Sequence, residues 1–229
     1  MTSKRYKKLP EKTKSLAPEL FEKLIPIIKK NCTTKFDESI DLNVQINNKQ
    51  KKNEISLRTV VNLPSGTGKK IKVGVVCEES KEKEAKEAGA DIVGGDTFID
   101  KMKSGNLDFE KLICTPDMMI KLSKIGKVLG PKGLMPNPKL GTVTDDLKNA
   151  VLNAKSGQVE IKNDKDGNLG LTLGKKSFSD DNLLKNFNAV FEILEKEKNN
   201  NKVKGNLIKN TYLSSTMGVS YKLKLPKNI

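Results

Sequence analysis

The sequence predicts an α+β domain assembled from two separated stretches, residues 1–66 and 158–229, with an α/β domain, residues 67–157, inserted between them. Three observations predict it. The outer stretches carry strands that alternate apolar and polar residues, the mark of a half-buried sheet. The middle stretch carries short, almost continuous apolar strands separated by helical segments, the mark of a parallel sheet. The texture changes at two small-residue crossings, Ser65-Gly66-Thr67-Gly68 and Lys155-Ser156-Gly157. Two strands before residue 66 cannot bury a sheet alone, so they need the strands and helix that follow residue 157.

Residues 1–15 are basic, lack apolar periodicity and read as a flexible tail. Residues 17–31 read as a helix that Pro26 should kink or shorten. "SIDLNVQIN" (39–47) is a half-buried strand, "NKQKKNE" a loop, and "RTVVNLP" (58–64) its partner strand. In the middle stretch, strands are expected at 71–77, 90–95 and 111–115, and helices at 80–88 and around 97–103. A helix starts at Thr115-Pro116-Asp117, with a Thr cap and Pro in the first turn. Another runs from the Thr144-Asp145-Asp146 cap to near Gly157, with Leu147, Ala150, Val151 and Ala154 on one face. This unit is expected to be Rossmann-like and three-layered. Beyond it, "QVEIKN" and "LGLTLG" flank "DKDG" as a hairpin. A helix from Ser179 carries Leu183, Leu184, Phe187, Val190, Phe191 and Leu194, "KEKNNNKVKG" is a polar loop, and "NLIKNTYL" and "VSYKLKL" are closing strands.

Composition narrows the chemistry. There is no histidine, which excludes histidine-based nucleophile pairs, acid/base catalysis and zinc sites. Cys32, Cys77 and Cys114 lack metal-ligand spacing and fit a reducing cytoplasm. No apolar run reaches membrane-span length, and no metal or cofactor is expected. The net charge of +15 points to an anionic partner or to a lysine-rich solubilising surface. Its placement is uneven. Residues 1–66 hold 14 Lys and Arg against 7 acids, residues 158–229 hold 13 against 8, and residues 67–157 hold 16 against 13. The excess lies on the outer stretches.

An enzyme using the inserted unit is the competing reading, and its fingerprints are missing. "LPSGTGKK" has Leu63 where a phosphate-binding loop needs its first glycine and Lys70 where it needs a hydroxyl. No G-x-G-x-x-G follows the strand ending at Cys77. Asp145 and Asp146 read as helix-terminal acids rather than metal ligands. "GKVLGPKGLMPNPKLGTV" (126–143) places three prolines and three lysines among its glycines. That density forbids a regular helix or strand interior. Leu134 and Met135 should tuck into the core; the stretch is either a rigid cover or a contact surface.

The run "TPDMMIKLSKIGKVLGPKGLMPNPKLGTVTDD" (115–146) resembles the signature of the ribosomal protein L-one family of the large subunit. "VVNLPSGTGK", "AGADIVGG", "GQVEIKNDKDG" and "TMG" extend the likeness from about Phe36 to Leu223. The resemblance implies a bacterial-type ribosomal stalk protein of the cytoplasm, monomeric when free and without enzymatic activity. It implies binding to large-subunit ribosomal RNA beside the tRNA exit site, movement with deacylated tRNA, and repression of translation through the protein's own messenger RNA. It also implies RNA contacts at Lys35, Phe36 and Glu38 in one patch and Thr216, Met217 and Gly218 in another. A hydroxyl, a glycine and an apolar wedge suit a shallow groove lined with 2′-hydroxyls. Lys162 and Lys165, near the hairpin, would meet phosphates. Lys127, Lys132 and Lys139 would be a secondary RNA or tRNA contact, and Gly66, Gly68, Ser156 and Gly157 a hinge. Asn210 departs from relatives that carry Ser near the RNA surface. From the residues alone, Phe36 reads as a strand-edge core residue and "TMG" as a tight turn.

Overall fold

The computed structural model describes residues 6, 9, 17–47, 57–105, 107–200 and 206–225 of the chain. It divides into two compact units, Met1–Gly68 with Val159–Ile229, and Lys69–Gln158.

The outer unit is built on a four-stranded antiparallel sheet. Strand β1 (Ser39–Ile46) lies between β7 (Asn168–Lys175) and β8 (Ile208–Ser215), and β8 also pairs with β9 (Ser220–Lys222). Alternation decides what each face does. Ile40, Leu42, Val44 and Ile46 of β1 are buried together with Leu169, Leu171 and Leu173 of β7. Helix α1 (Phe21–Asn31) contributes Phe21, Leu24, Ile25 and Ile28 to this core, and α7 (Asp180–Asn200) contributes Leu183, Phe187, Val190, Phe191 and Leu194. Phe21 and Phe187 stack with ring centroids 4.0 Å apart.

Several expectations for this unit are corrected. Strand β2 (Arg58–Asn62) does not pair with β1; it forms a separate two-stranded sheet with β6 (Gln158–Lys162). Both edges of β1 are taken by β7 and β8, which leaves no edge for the strand nearest in sequence. The "DKDG" hairpin exists only at its tip. Gly167 turns with φ of 80° and one bridge joins Asn163 to Leu169, after which β6 and β7 enter different sheets. Helix α1 begins at Phe21, because Glu19 is extended and bridges Leu223. Helix α7 continues to Asn200 through part of the expected polar loop, whose residues 201–205 lie outside the described residues. Of the expected tail, only Tyr6 and Leu9 are described; both are helical, and Leu9 is buried in the core.

In the inserted unit, β3 (Val73–Val76) pairs in parallel with β4 (Ile92–Gly94) on one side and β5 (Lys111–Cys114) on the other. All four residues of β3 are buried, as a sheet covered on both faces requires. One core joins Val76 and Cys114 to Phe98, Ile99 and Met102 of α3 (Asp96–Lys103) and to Met118 and Leu122 of α4 (Pro116–Ser123). The other joins Val73, Val75 and Ile113 to Ala85 of α2 (Glu82–Glu87) and to Leu147, Val151 and Ala154 of α6 (Leu147–Lys155). Asp146 caps α6 as expected, accepting the Asn149 N–H at 3.1 Å. Thr115 does not cap α4 with its side chain; its hydroxyl is buried without a partner.

The glycine- and proline-rich stretch is less irregular than expected. It contains a one-turn helix, α5 (Gly126–Leu129), and a 3₁₀ turn at Pro138–Leu140. Leu134 and Met135 pack against the core, and Val143 bridges Cys114 beside β5. Asn137 fixes the turn, accepting from the Lys139 N–H at 2.9 Å, and Gly141 closes it with φ of 67°. The stretch is a cover that leaves Lys127, Lys132 and Lys139 exposed.

Candidate nucleic-acid interface

Two loops meet at one end of the outer sheet, and a buried carboxylate joins them. The first is the Thr33–Glu38 approach to β1; the second, Ser215–Gly218, joins β8 to β9. Glu38 shares the inward phase of Ile40 and Leu42 and is 0% exposed. Its Oε1 accepts the Thr34 N–H at 3.3 Å and the Thr34 hydroxyl at 2.7 Å, and its Oε2 accepts the Met217 N–H at 3.2 Å. Burial pushes its pKa up, but hydrogen bonds from Thr34, Ser215 and Met217 outweigh that and hold it below the usual glutamate value. Glu38 therefore remains an internal carboxylate clamping both loops.

Neighbouring groups reinforce the clamp. The Ser39 N–H donates to Thr216 Oγ1 at 2.9 Å, and the Thr216 N–H donates to the Ser39 carbonyl at 3.1 Å. Asp37 accepts from the Ser177 N–H at 3.1 Å and the Ser177 hydroxyl at 2.8 Å. Gly218 allows the second loop to close, because a Cβ there would fall 2.3 Å from Ser215 Oγ.

Above the clamp, Phe36 is 53% exposed and Met217 is 47% exposed. These are exposed apolar side chains on two interlocked loops, and neither belongs to the core. Lys35 is exposed beside Phe36. The structure thus brings Lys35, Phe36, Glu38, Thr216, Met217 and Gly218 into one patch. Lys162 and Lys165 are exposed at the other end of the sheet, where the Asp164–Gly167 turn leads into β7. Asn210 donates through Nδ2 to Gln45 Oε1 at 3.0 Å on the outer face of the sheet.

Sequence reasoning missed Thr34, Ser215 and Asn186. Ser215 occupies an inward phase of β8, and a polar residue at an inward phase is the signal that could have found it. Asn186 is 0% exposed in the middle of α7. Its Oδ1 accepts the Ser65 N–H at 3.0 Å, while its Nδ2 donates to the Gly66 carbonyl at 3.0 Å and the Leu173 carbonyl at 2.7 Å. Gly66 and Gly68 both have positive φ, 70° and 73°, and lie within the outer unit. A Cβ at Gly68 would meet Lys175 Cγ at 2.8 Å. Ser156 ends α6 and Gly157 follows with φ of 103°, both within the inserted unit.

Among the described residues, no group of histidine, cysteine, aspartate and glutamate is arranged to hold a metal ion, and no helix is long and apolar enough to cross a membrane. The three cysteines are free and buried, and burial pushes the Cys114 thiol up to about 12.

Residues 28–219 match the model of the Ribosomal protein L1p/L10e family. The chain is 70% identical over 229 residues to the large ribosomal subunit protein uL1 of Pelagibacter ubique (strain HTCC1062), covering 100% of both chains. It is 46% identical to the protein of the same name from Rickettsia akari (strain Hartford), covering 96% of this chain and 92% of that one. Against the Rickettsia prowazekii (strain Madrid E) protein the identity is 47%, over 97% and 93%. With a family match across most of its length and full-length relatives at these identities, the chain belongs to the ribosomal protein L1 family, whose members are structural proteins of the large ribosomal subunit and not enzymes.

Proposed function

We propose that the protein binds large-subunit ribosomal RNA through the patch formed by Lys35, Phe36, Thr216, Met217 and Gly218, with Glu38 holding it from behind. The observation that carries this reading is the exposure of Phe36 and Met217 on two loops locked together by a buried carboxylate. A preformed patch limits the ordering entropy lost on binding. Its chemistry suits folded RNA: hydroxyls and backbone amides for 2′-hydroxyls, apolar wedges for a shallow groove, and lysine for phosphate. Lys162 and Lys165 meet phosphates further along the sheet.

In this reading the protein works in the cytoplasm, on the ribosome, as part of a mobile stalk near the tRNA exit site that helps release deacylated tRNA. The Rossmann-like inserted unit presents Lys127, Lys132 and Lys139 as a secondary RNA or tRNA contact. Gly66, Gly68, Ser156 and Gly157 form the hinge, with Asn186 fixing the point where the outer unit ends. A messenger RNA of the same folded shape occupies the same patch, which makes the protein a repressor of its own translation.

Titration of the full chain with a stalk-region RNA across a salt series tests the reading. Affinity should fall steeply as salt rises, because lysines displace counterions. Thr216→Val and Gly218→Val should each weaken binding by about 1–3 kcal/mol, the scale of a lost or displaced hydrogen bond at a desolvated contact. Unchanged affinity in both variants would remove the patch from the interface.

A further inference from the structure

Among the described residues, one face of the outer sheet contributes nothing to the core and carries mostly polar residues in register. Directly paired residues share a face, so the pairing defines three rows. They are Asn168–Gln45–Asn210, Gly170–Asn43–Tyr212–Lys222 and Thr172–Asp41–Ser214–Ser220. The apolar side chains of β1 and β7, with those of α1 and α7, belong to the core on the other side.

The first two rows enclose a recess of about 430 Å³. Gly170 forms its floor, since a Cβ there would approach Asn43 Oδ1 to 3.2 Å. The hairpin tip forms one wall: Asp164 Oδ1 accepts the Asn168 N–H at 2.6 Å and Oδ2 accepts from Asn168 Nδ2 at 3.1 Å. Tyr212 forms the opposite wall. Gln45 has its orientation fixed by Asn210 donating to Oε1, so Nε2 is its remaining donor group.

We propose that this recess takes one unpaired nucleobase of the bound RNA. Carboxamides present donor and acceptor in one plane, the geometry that pairs with a base edge, and Asn43 and Gln45 supply two of them. Tyr212 supplies a ring for stacking on the polar face of a sheet backed by helices on its other face, the arrangement by which RNA-binding sheets stack bases. Lys222 follows Tyr212 in the same row, and Lys165 lies on the hairpin; both are placed for flanking phosphates. The recess side chains are mostly uncharged and polar, which suits a base better than an apolar peptide or a lipid chain. The recess lies roughly 15–20 Å along β1 from Phe36 and Met217, by the rise of an extended chain. This inference rests on the RNA-binding reading and extends its footprint across the whole sheet.

The test uses the full chain and a stalk-region RNA, with wild type, Thr216→Val, Gly170→Val, Tyr212→Ala and Tyr212→Phe. Filling the recess with Gly170→Val, or removing the ring with Tyr212→Ala, should each weaken binding about tenfold, the scale of one stacked base. Tyr212→Phe keeps the ring and should bind as wild type. RNA carrying 4-thiouridine should photo-crosslink to Tyr212. Wild-type affinity in Tyr212→Ala, or equal losses in Tyr212→Ala and Tyr212→Phe, would overturn the proposal. Thermal melting identifies a Gly170→Val variant that fails to fold, and the two Tyr212 variants then decide. If wild type binds and Thr216→Val weakens it while the recess variants do not, only the recess falls; if wild type does not bind, the RNA reading itself falls.

Discussion

Among the described residues, the inserted unit packs core side chains on both faces of its sheet, whereas the four-stranded sheet of the outer unit packs them on one face only. The insert is left with a crevice of about 330 Å³ at the carboxyl ends of its three strands, the place where open α/β sheets bind ligands. That crevice is lined by Glu78, Glu79, Glu82, Asp96 and Asp117, and its Lys121 is engaged by Asp96 at 2.8 Å. Glu79, Glu82, Asp96 and Asp117 lie in the first turns of short helices, where they complement the helix dipoles. They also make the crevice repel phosphate. The outer unit places lysines around a polar face instead. Suitability for a polyanion is thus set by where the sheet packs no core and by the sign of charge around it. An α/β topology alone does not confer it.

The sharpest way to break this comparison is to remove lysines from each unit in turn. Replacing Lys35, Lys162 and Lys165 together by Ala should lower RNA affinity about a hundredfold and flatten its salt dependence by roughly one logarithmic unit per lost phosphate contact. The same change at Lys127, Lys132 and Lys139 should shift affinity by less than about threefold on this basis. The reverse ranking would move the interface onto the insert.

A smaller effect tests the internal clamp. Glu38→Gln puts an amide donor against N–H or hydroxyl donors and should lower unfolding stability by about 1–3 kcal/mol at neutral pH. The folded-state pKa of Glu38 is depressed, so its contribution is complete above the usual glutamate value of 4.5 and is lost as pH falls through the lower folded value. Urea midpoints should therefore differ most at pH 7, and the gap between wild type and variant should narrow on acidification. A constant gap would mean the carboxylate charge plays no part. The smallest effect belongs to Asp146→Ala, which removes the cap of α6: a slight drop in thermal midpoint with RNA affinity unchanged.

The two units also differ in how far their sequences disclose them. In the insert, each strand is followed by its own helix and pairs with a near neighbour, so local periodicity placed β3, β4, β5 and their helices within a few residues. In the outer unit, periodicity located β1, β2, β6 and β7 but could not assign their partners. Pairing of β1 with β7 and β8 depends on segments far along the chain, and the nearest strand in sequence was the wrong choice. The candidate site shows the same division. Glu38 is in phase with Ile40, Leu42, Val44 and Ile46, so its burial was legible, though the resemblance presented it as a contact. That two sequence-distant patches form one, and that Gly170 opens a recess beside Tyr212, depends on strand register, which a single sequence does not carry.

The hydrogen bonds that close the Phe36–Met217 patch join residues Ser39 and Thr216, which are 177 positions apart. During synthesis β1 can pair on one edge once β7 emerges, but its other edge must wait for β8, when almost the whole chain has left the tunnel. The insert, one continuous segment, has all its strands available much earlier and shortens the effective loop that β1 must close. Folding order is thus written into the discontinuity: the segment with the weaker charge is free to form first, and the Phe36–Met217 patch is completed at the end of translation.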